Sequence, residues 1–131
     1  MALTQYALEK LQHFPLHPVA SETANFTGAT TNIADLKDFE GDIQVILDSD
    51  GGASGTRTLA LKLQHSATTT SGDFVDVTGG GFTSLTTSAS KQVITLNSDD
   101  LRRYVRLVTT QGAGSTYIYS VNGYGLKKYE G

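Results

Sequence analysis

The chain has 131 residues, no cysteine, 38% hydrophobic residues and a formal net charge of −3. The lack of cysteine excludes a disulfide scaffold, a zinc–thiolate site and a thiol nucleophile. The length suits one domain with a single core that needs no metal to fold.

Residues 1–23 differ in character from the rest of the chain. A few apolar residues before Leu11 fall at helical spacing, but Pro15 and Pro18 exclude a longer helix, because proline disfavours helical backbone in the residue before it. We therefore expect an extended N-terminal arm at 1–23 and one domain at 24–131. The apolar side chains of the arm are too few to form a core, so they must pack on the domain or on a neighbour, and we expect the arm to make the contact with a partner. The predicted anchors are Leu8, Leu11, Phe14 and Leu16.

From residue 24 onward, short apolar–polar alternations are separated by turn-forming residues. The clearest alternation places Leu59, Leu61 and Leu63 between polar or small neighbours, which predicts a half-buried strand. Seven or eight such segments recur at intervals of about ten residues, which is typical of antiparallel sandwiches. The sequence therefore predicts an all-β fold, an antiparallel β-sandwich (jelly roll) of about eight strands. Jelly rolls and immunoglobulin-like sandwiches share this pattern, so the strand order stays open.

Glycines and aspartates are predicted to interrupt the strands. Residues 48–55 are rich in both and predict a flexible loop. The three glycines at 79–81 are expected to end a strand, with pairing resumed at 82–85. Gly123 and Gly125 predict a bulge or bend in the last strand.

Charge is distributed unevenly along the chain. Residues 1–50 contain eight acidic and two basic residues (8 − 2, net −6), whereas residues 51–131 contain eight basic and five acidic ones (8 − 5, net +3). Such asymmetry favours a head-to-tail contact or an oppositely charged partner, unless the halves neutralise each other within one sandwich. The acidic total argues against nucleic-acid binding, and no apolar run has the length of a membrane span or signal peptide. We therefore expect neither a nucleic-acid nor a membrane partner.

Paired carboxylates are the first candidates for acid–base catalysis, and each pair has a simpler interpretation. Asp99 and Asp100 suit a turn, where aspartate bonds to nearby backbone N–H groups. Asp76, with Asp73 close by, suits the solvent face of a strand. Residues 48–51 resemble the start of a calcium loop but lack its later oxygen ligands.

The histidines do not form a metal-binding pattern either. Pro15 lies between His13 and His17 and excludes the helical face that their spacing would need. His65 ends a strand on its apolar face and is expected to be a core or rim residue. Neither a nucleophile elbow nor a phosphate-binding loop occurs. We therefore expect no enzyme activity, no catalytic residue, no cofactor and no metal.

The tyrosines leave a sugar-binding alternative open. Tyr117 and Tyr119 share one strand face and Tyr124 follows closely. Exposed tyrosines stack on sugars, but tyrosine also covers sheets in many β-proteins. A carbohydrate-binding sandwich module is therefore the main alternative function.

Two segments carry a resemblance to a known group of proteins. Residues 63–77 read LQHSATTTSGDFVDV, and residues 98–106 read SDDLRRYVR. The two segments resemble a hairpin and a strand entry of the jelly-roll decoration or cement proteins of tailed bacteriophage capsids, with a likeness that covers residues 57–128. The resemblance implies a jelly roll that binds the major capsid protein on the outside of the virion. It also implies a homodimer or homotrimer made in the host cytoplasm, with no shared catalytic residues. A tail, baseplate or fibre module of a phage is a further alternative.

Overall fold

The computed structural model describes residues 11–22, 26–28, 32–52, 58–86, 88–111 and 116–127. These residues form eight strands and two short 3₁₀ turns, Ser71–Asp73 and Ser98–Asp100. The strands are β1 (Leu11–Glu22), β2 (Ala34–Asp35), β3 (Phe39–Gly52), β4 (Leu59–Ser66), β5 (Val75–Gly81), β6 (Ser90–Asn97), β7 (Tyr104–Gln111) and β8 (Tyr117–Lys127).

The strands form two four-stranded antiparallel sheets. Sheet A has the order β1-β8-β3-β6 and sheet B the order β2-β7-β4-β5. β1 pairs with β8, β2 with β7, β3 with β6, and β4 with β5. Strands that pair in this nested order form one long antiparallel ribbon that folds back and rolls up into two sheets. This arrangement is a jelly roll. The predicted all-β sandwich of about eight strands is confirmed.

The core lies between the two sheets. β4 has the predicted alternation, with Leu59, Leu61 and Leu63 buried against the opposite sheet. β3 contributes Ile43, Val45 and Leu47 in the same way. One continuous cluster of buried apolar side chains joins the two sheets. Period-two alternation places these residues inward because neighbouring side chains of a strand point to opposite faces.

The N-terminal segment is not an arm from Leu11 onward. Leu11–Glu22 is the edge strand β1 of sheet A, paired with β8. Phe14 is buried and Leu16 is 0% exposed, so these two predicted anchors pack in the chain's own core and are not accessible to a partner. Leu11 is 47% exposed and Leu8 lies outside the described residues. The predicted boundary at residue 23 is therefore wrong for 11–22, because pairing with β8 makes this segment part of the sandwich.

The glycine predictions are only partly met. β5 continues through residues 79–81, and residues 82–85 provide one isolated bridge, from Leu85 to Leu59. The irregularity near the end of β8 lies on its partner β3, between Glu40 and Gln44, where Gly41 has a φ of 73°. Residues 48–52 belong to β3, so the predicted loop is wrong for these residues, and residues 53–57 lie outside the described ones.

Gly123 and Gly125 make room for two aromatic rings. A Cβ at Gly123 would overlap the ring of Phe14, and one at Gly125 would lie 2.7 Å from Cδ1 of Phe39. The rings of Phe14 and Phe39 meet edge to face, with centroids 5.4 Å apart. The missing side chains therefore let β1 and the start of β3 pack closely on β8.

Candidate interaction surface

Part of the outer face of sheet B is covered by the chain itself, while Ala60, Lys62 and Thr110 on the same face are exposed. The segment between β4 and β5 folds over this face and is held there by Arg106 of β7, which is only 7% exposed. The Arg106 guanidinium donates from Nε and Nη2 to Oε1 of Gln64 (3.1 and 2.8 Å). It also donates from Nη1 to the Ser71 hydroxyl (3.0 Å) and lies 4.1 Å from the centre of the Phe74 ring.

The carboxylate of Asp76 balances the buried charge of Arg106 indirectly, through Gln64. The Gln64 amide donates to Oδ1 of Asp76 (2.9 Å), and Lys62 forms an ion pair with the same carboxylate at 3.0 Å. The hydrogen bond from Gln64, followed by that from Lys62, lowers the pKa of Asp76. Burial lowers the pKa of Arg106, which stays protonated because arginine titrates far above neutral pH. Asp76 lies on the solvent face of a strand, as predicted. Its contacts with Gln64 and Lys62 stabilise this face.

Replacing Arg106 with methionine is expected to lower the free energy of unfolding by about 2–3 kcal/mol, because Gln64 and Ser71 lose their charged donor inside the fold. Urea denaturation followed by circular dichroism measures the change. Arg102→Met is the matched control, since Arg102 is exposed, and we expect a change within about 0.5 kcal/mol. Equal stability of the Arg106 variant and wild type would contradict this role.

A second ion pair joins the two oppositely charged halves of the sequence. Arg103 donates from Nε and Nη2 to the two carboxylate oxygens of Asp35, each at 3.0 Å. The hydrogen bond from Arg103 lowers the pKa of Asp35. This pair fixes the short strand β2 to the start of β7.

The outer face of sheet A is open, in contrast to that of sheet B. Side chains directly opposite each other on antiparallel strands share a face, so the pairing register gives the rows across this surface. The first row is His13, Tyr124, Gln44 and Thr95, and the second is Pro15, Asn122, Ile46 and Val93. Beyond them, Leu11 lies opposite Leu126.

Exposed apolar side chains are concentrated on this face. Five large hydrophobic side chains among the described residues are exposed, and four of them belong to sheet A: Leu11, Val93, Ile118 and Leu126. Leu11 and Leu126 lie opposite each other at one end of the face, Val93 lies beside Ile46, and Ile118 lies near the other end of β8. The polar groups among them are ordered, since His13 Nε2 lies 2.7 Å from Asn122 Oδ1 and the His13 ring is tilted against Tyr124.

The border of the outer face of sheet A is acidic. β3 places Asp42, Asp48 and Asp50 on the exposed side of the strand, and Lys91 of β6 lies opposite Asp48. Three acidic residues of the N-terminal half, Asp42, Asp48 and Asp50, are thus on the face that carries the exposed apolar side chains. A partner of this face is expected to be apolar with a basic border.

The other predicted chemical features lie in structural positions. Tyr117 and Tyr119 are buried and cannot form a sugar platform, because their rings lie between the sheets; Tyr124, the third tyrosine of the predicted group, is half-buried. His17 is buried and stacks on Tyr119 at 4.2 Å, which no sequence signal indicated. Asp99 lies in the second 3₁₀ turn, where its N–H donates to Asn97 Oδ1.

Neither a metal site nor a membrane helix is found in the part of the chain that the structure describes. No group of three or more histidine, cysteine, aspartate or glutamate side chains is arranged to hold a metal there. None of the described helical turns is long and apolar enough to cross a bilayer.

The open side of the sandwich, between β5 and β6, contains a groove of about 480 Å³. Its lining includes Val77, Leu96 and Leu101, with His65 and Asp100 among the polar groups. His65 is a rim residue as predicted: its Nδ1 accepts a hydrogen bond from the Arg102 N–H (3.2 Å). Burial, followed by the charge of Arg102, lowers the pKa of His65.

Comparison with known proteins gives a fold relationship without a sequence family. No protein-family model and no curated protein matches the sequence. The VP2 protein of infectious bursal disease virus, in its subviral particle, superposes with a TM-score of 0.52 and 8% identity, over 91% of this chain and 33% of VP2. A mutant VP2 in derived particles gives 0.50 and 10% over 91% and 32%. The SPBc2 prophage-derived protein YomS gives 0.48 and 15% over 89% and 93%.

These neighbours include viral capsid and prophage proteins, and what VP2 shares with this chain is the β-sandwich fold. The chain spans about a third of the VP2 chains that it matches, 31–33% of their length.

Proposed function

We propose that this protein is a structural virion protein: a capsid decoration, or cement, protein that binds the outside of the major capsid shell and stabilises it by bridging neighbouring capsomers. In this proposal it is not an enzyme and takes no cofactor. It is made in the host cytoplasm and ends on the capsid surface.

The observation that carries the proposal is the difference between the two outer faces. Part of the outer face of sheet B is covered by the segment that Arg106 holds, whereas sheet A leaves Leu11, Ile118 and Leu126 exposed around an ordered His13–Asn122 pair. A rigid sandwich with exposed apolar side chains on one face suits a protein that binds to a surface. The resemblance of residues 63–77 and 98–106 to phage decoration proteins supports a capsid as that surface.

The partner surface in this proposal is an apolar patch of the major capsid protein with basic residues at its border. Apolar contact supplies most of the affinity, and the aspartates of β3 orient the docking. A single copy need not bind tightly, because many copies on one lattice, or a homodimer or homotrimer spanning several capsomers, act together. Nucleic acid and lipid do not enter the proposal.

The test uses capsids of the virus that encodes this chain, mixed with purified protein and sedimented. Wild-type protein is expected to co-sediment and to raise the melting temperature of the capsids, because it binds only the assembled shell. Leu126→Lys is expected to weaken binding about tenfold or more, which corresponds to about 1.4 kcal/mol. The substitution places a positive charge on the apolar face that meets a basic border.

Ala60→Lys is the matched control, because Ala60 is exposed on the outer face of sheet B and should bind like wild type. Wild-type protein that leaves capsids bare would contradict the proposal and would favour a tail or fibre module. Equal binding by the Leu126 variant and wild type would exclude the outer face of sheet A as the contact.

A further inference from the structure

Three of the four sheet edges are protected against pairing with another strand. β1 carries Pro15 and Pro18 and has two register shifts, and proline provides no N–H for pairing. β2 has only two residues. β5 has a register shift where it pairs with β4, and Gly79 within it has a φ of 78°. Prolines, short strands and bulges are the usual means by which proteins block their edges.

β6, the fourth edge, has none of these features. All eight of its residues, Ser90–Asn97, pair with β3 in unbroken register, and none is proline or glycine. Among the residues that the structure describes, β6 makes no backbone hydrogen bond to any element other than β3. The groove between β5 and β6 leaves open space beside this edge. Gln92 of β6 bonds through its side chain to the backbone of Thr83, which leaves the backbone of β6 without a second strand among the described residues. A regular edge of this length is a template for a further strand.

Charge along β6 is polarised. Lys91 lies at its start, and Asp99 and Asp100 follow its end in the second 3₁₀ turn. Lys91 has Asp48 opposite it on β3, yet these two described side chains form no ion pair. A strand that is basic at its start and acidic beyond its end is complementary to an antiparallel copy of itself.

We propose that two copies of this chain join edge to edge through β6, as an antiparallel pair about a two-fold axis. With the axis at Ile94, Lys91 of one copy lies opposite Asn97 of the other, next to the two aspartates that follow it. Val93 then lies opposite Thr95, a β-branched pair of the kind that stabilises antiparallel strands. The two A sheets become one continuous sheet of eight strands. The inference goes beyond capsid binding and does not depend on it.

Sedimentation velocity of the isolated protein tests the pairing. Because strand pairing alone buries little area, wild type is expected to pass from monomer to dimer only as its concentration rises toward the order of 1 mM. Val93 is 53% exposed, so Val93→Lys should fold normally, as a thermal melt would verify. It brings two lysines close to the two-fold axis and should abolish the dimer. Thr110→Lys, on exposed β7 surface away from this edge, should dimerise like wild type.

Charge exchange provides a second, independent readout. Lys91→Glu should weaken the dimer about tenfold, since it places like charges near each other across the pair. Adding Asp99→Lys and Asp100→Lys to Lys91→Glu should restore it. Wild type that remains monomeric at every concentration would overturn the proposal and leave the edge to an extended segment of another protein. Undiminished dimerisation of Val93→Lys would overturn it as well.

Discussion

Leu16→Ala is expected to lower the free energy of unfolding by about 2–5 kcal/mol, the range for truncating a fully buried leucine. Leu16 is 0% exposed and belongs to the same core cluster as the leucines of β4. Removing its side chain leaves a cavity that the two sheets cannot fill without moving. A domain of this size has about 5–15 kcal/mol of stability, so the loss is a large share of it. Urea denaturation measures the change.

The same strand provides the control for Leu16. Leu11→Ala removes the same atoms from a side chain that is 47% exposed, and we expect a change within about 0.5 kcal/mol. If the segment were an arm that docks elsewhere, the two substitutions would have similarly small effects on the isolated protein. Equal stability of the two variants would therefore contradict the assignment of β1 to the core.

Gly123→Val is expected to destabilise the protein by about 3 kcal/mol or more, at the upper end of the cost of overpacking a core. A side chain at this position would occupy the volume of the Phe14 ring. Since β8 lies between β1 and β3, the backbone cannot shift without disturbing both pairings. Thermal unfolding should show a large fall in Tm.

A double-mutant cycle tests whether the cost of Gly123→Val comes from overlap with the Phe14 ring. Phe14→Ala removes the ring, so combining it with Gly123→Val should cost at least about 1 kcal/mol less than the sum of the two single changes. Gly81→Ala is the matched control, because Gly81 lies in a strand with no atom near the added Cβ. Additive effects of the two substitutions would show that the ring and the glycine do not interact.

Local patterns predicted most of the strands. β4 and the middle of β3 alternate with period two, and that alternation by itself places their leucines in the core. The turn at Asp99 and the solvent-face position of Asp76 also follow from local chemistry. These predictions succeeded because each depends on neighbours in the sequence.

The errors come from contacts between distant residues. The sequence predicts an arm at Phe14 and Leu16 because two prolines break the local pattern. The burial of Phe14 depends on Gly123 of β8, more than a hundred residues away, which makes room for the Phe14 ring. Glycine in a strand predicts a bulge. The packing of Phe14 on Gly123 shows that this glycine makes room for an aromatic ring.

The candidate surface could be predicted even less. Charge asymmetry indicated an oppositely charged partner, but the register of four strands is needed to gather His13, Tyr124 and Ile46 on one face. The unprotected edge at β6 likewise follows from the strand order. The sequence pattern does not distinguish the strand order of a jelly roll from that of other sandwiches. The sugar alternative lost its main support once Tyr117 and Tyr119 proved to be buried.

The most direct test of the proposed function is a cryo-electron microscopy map of capsids incubated with this protein. We predict ordered density for the sandwich on the outside of the shell. The outer face of sheet A should lie toward the major capsid protein, and the segment between β4 and β5 toward solvent. Capsids without such density, or a sandwich seated on the shell through sheet B, would contradict it.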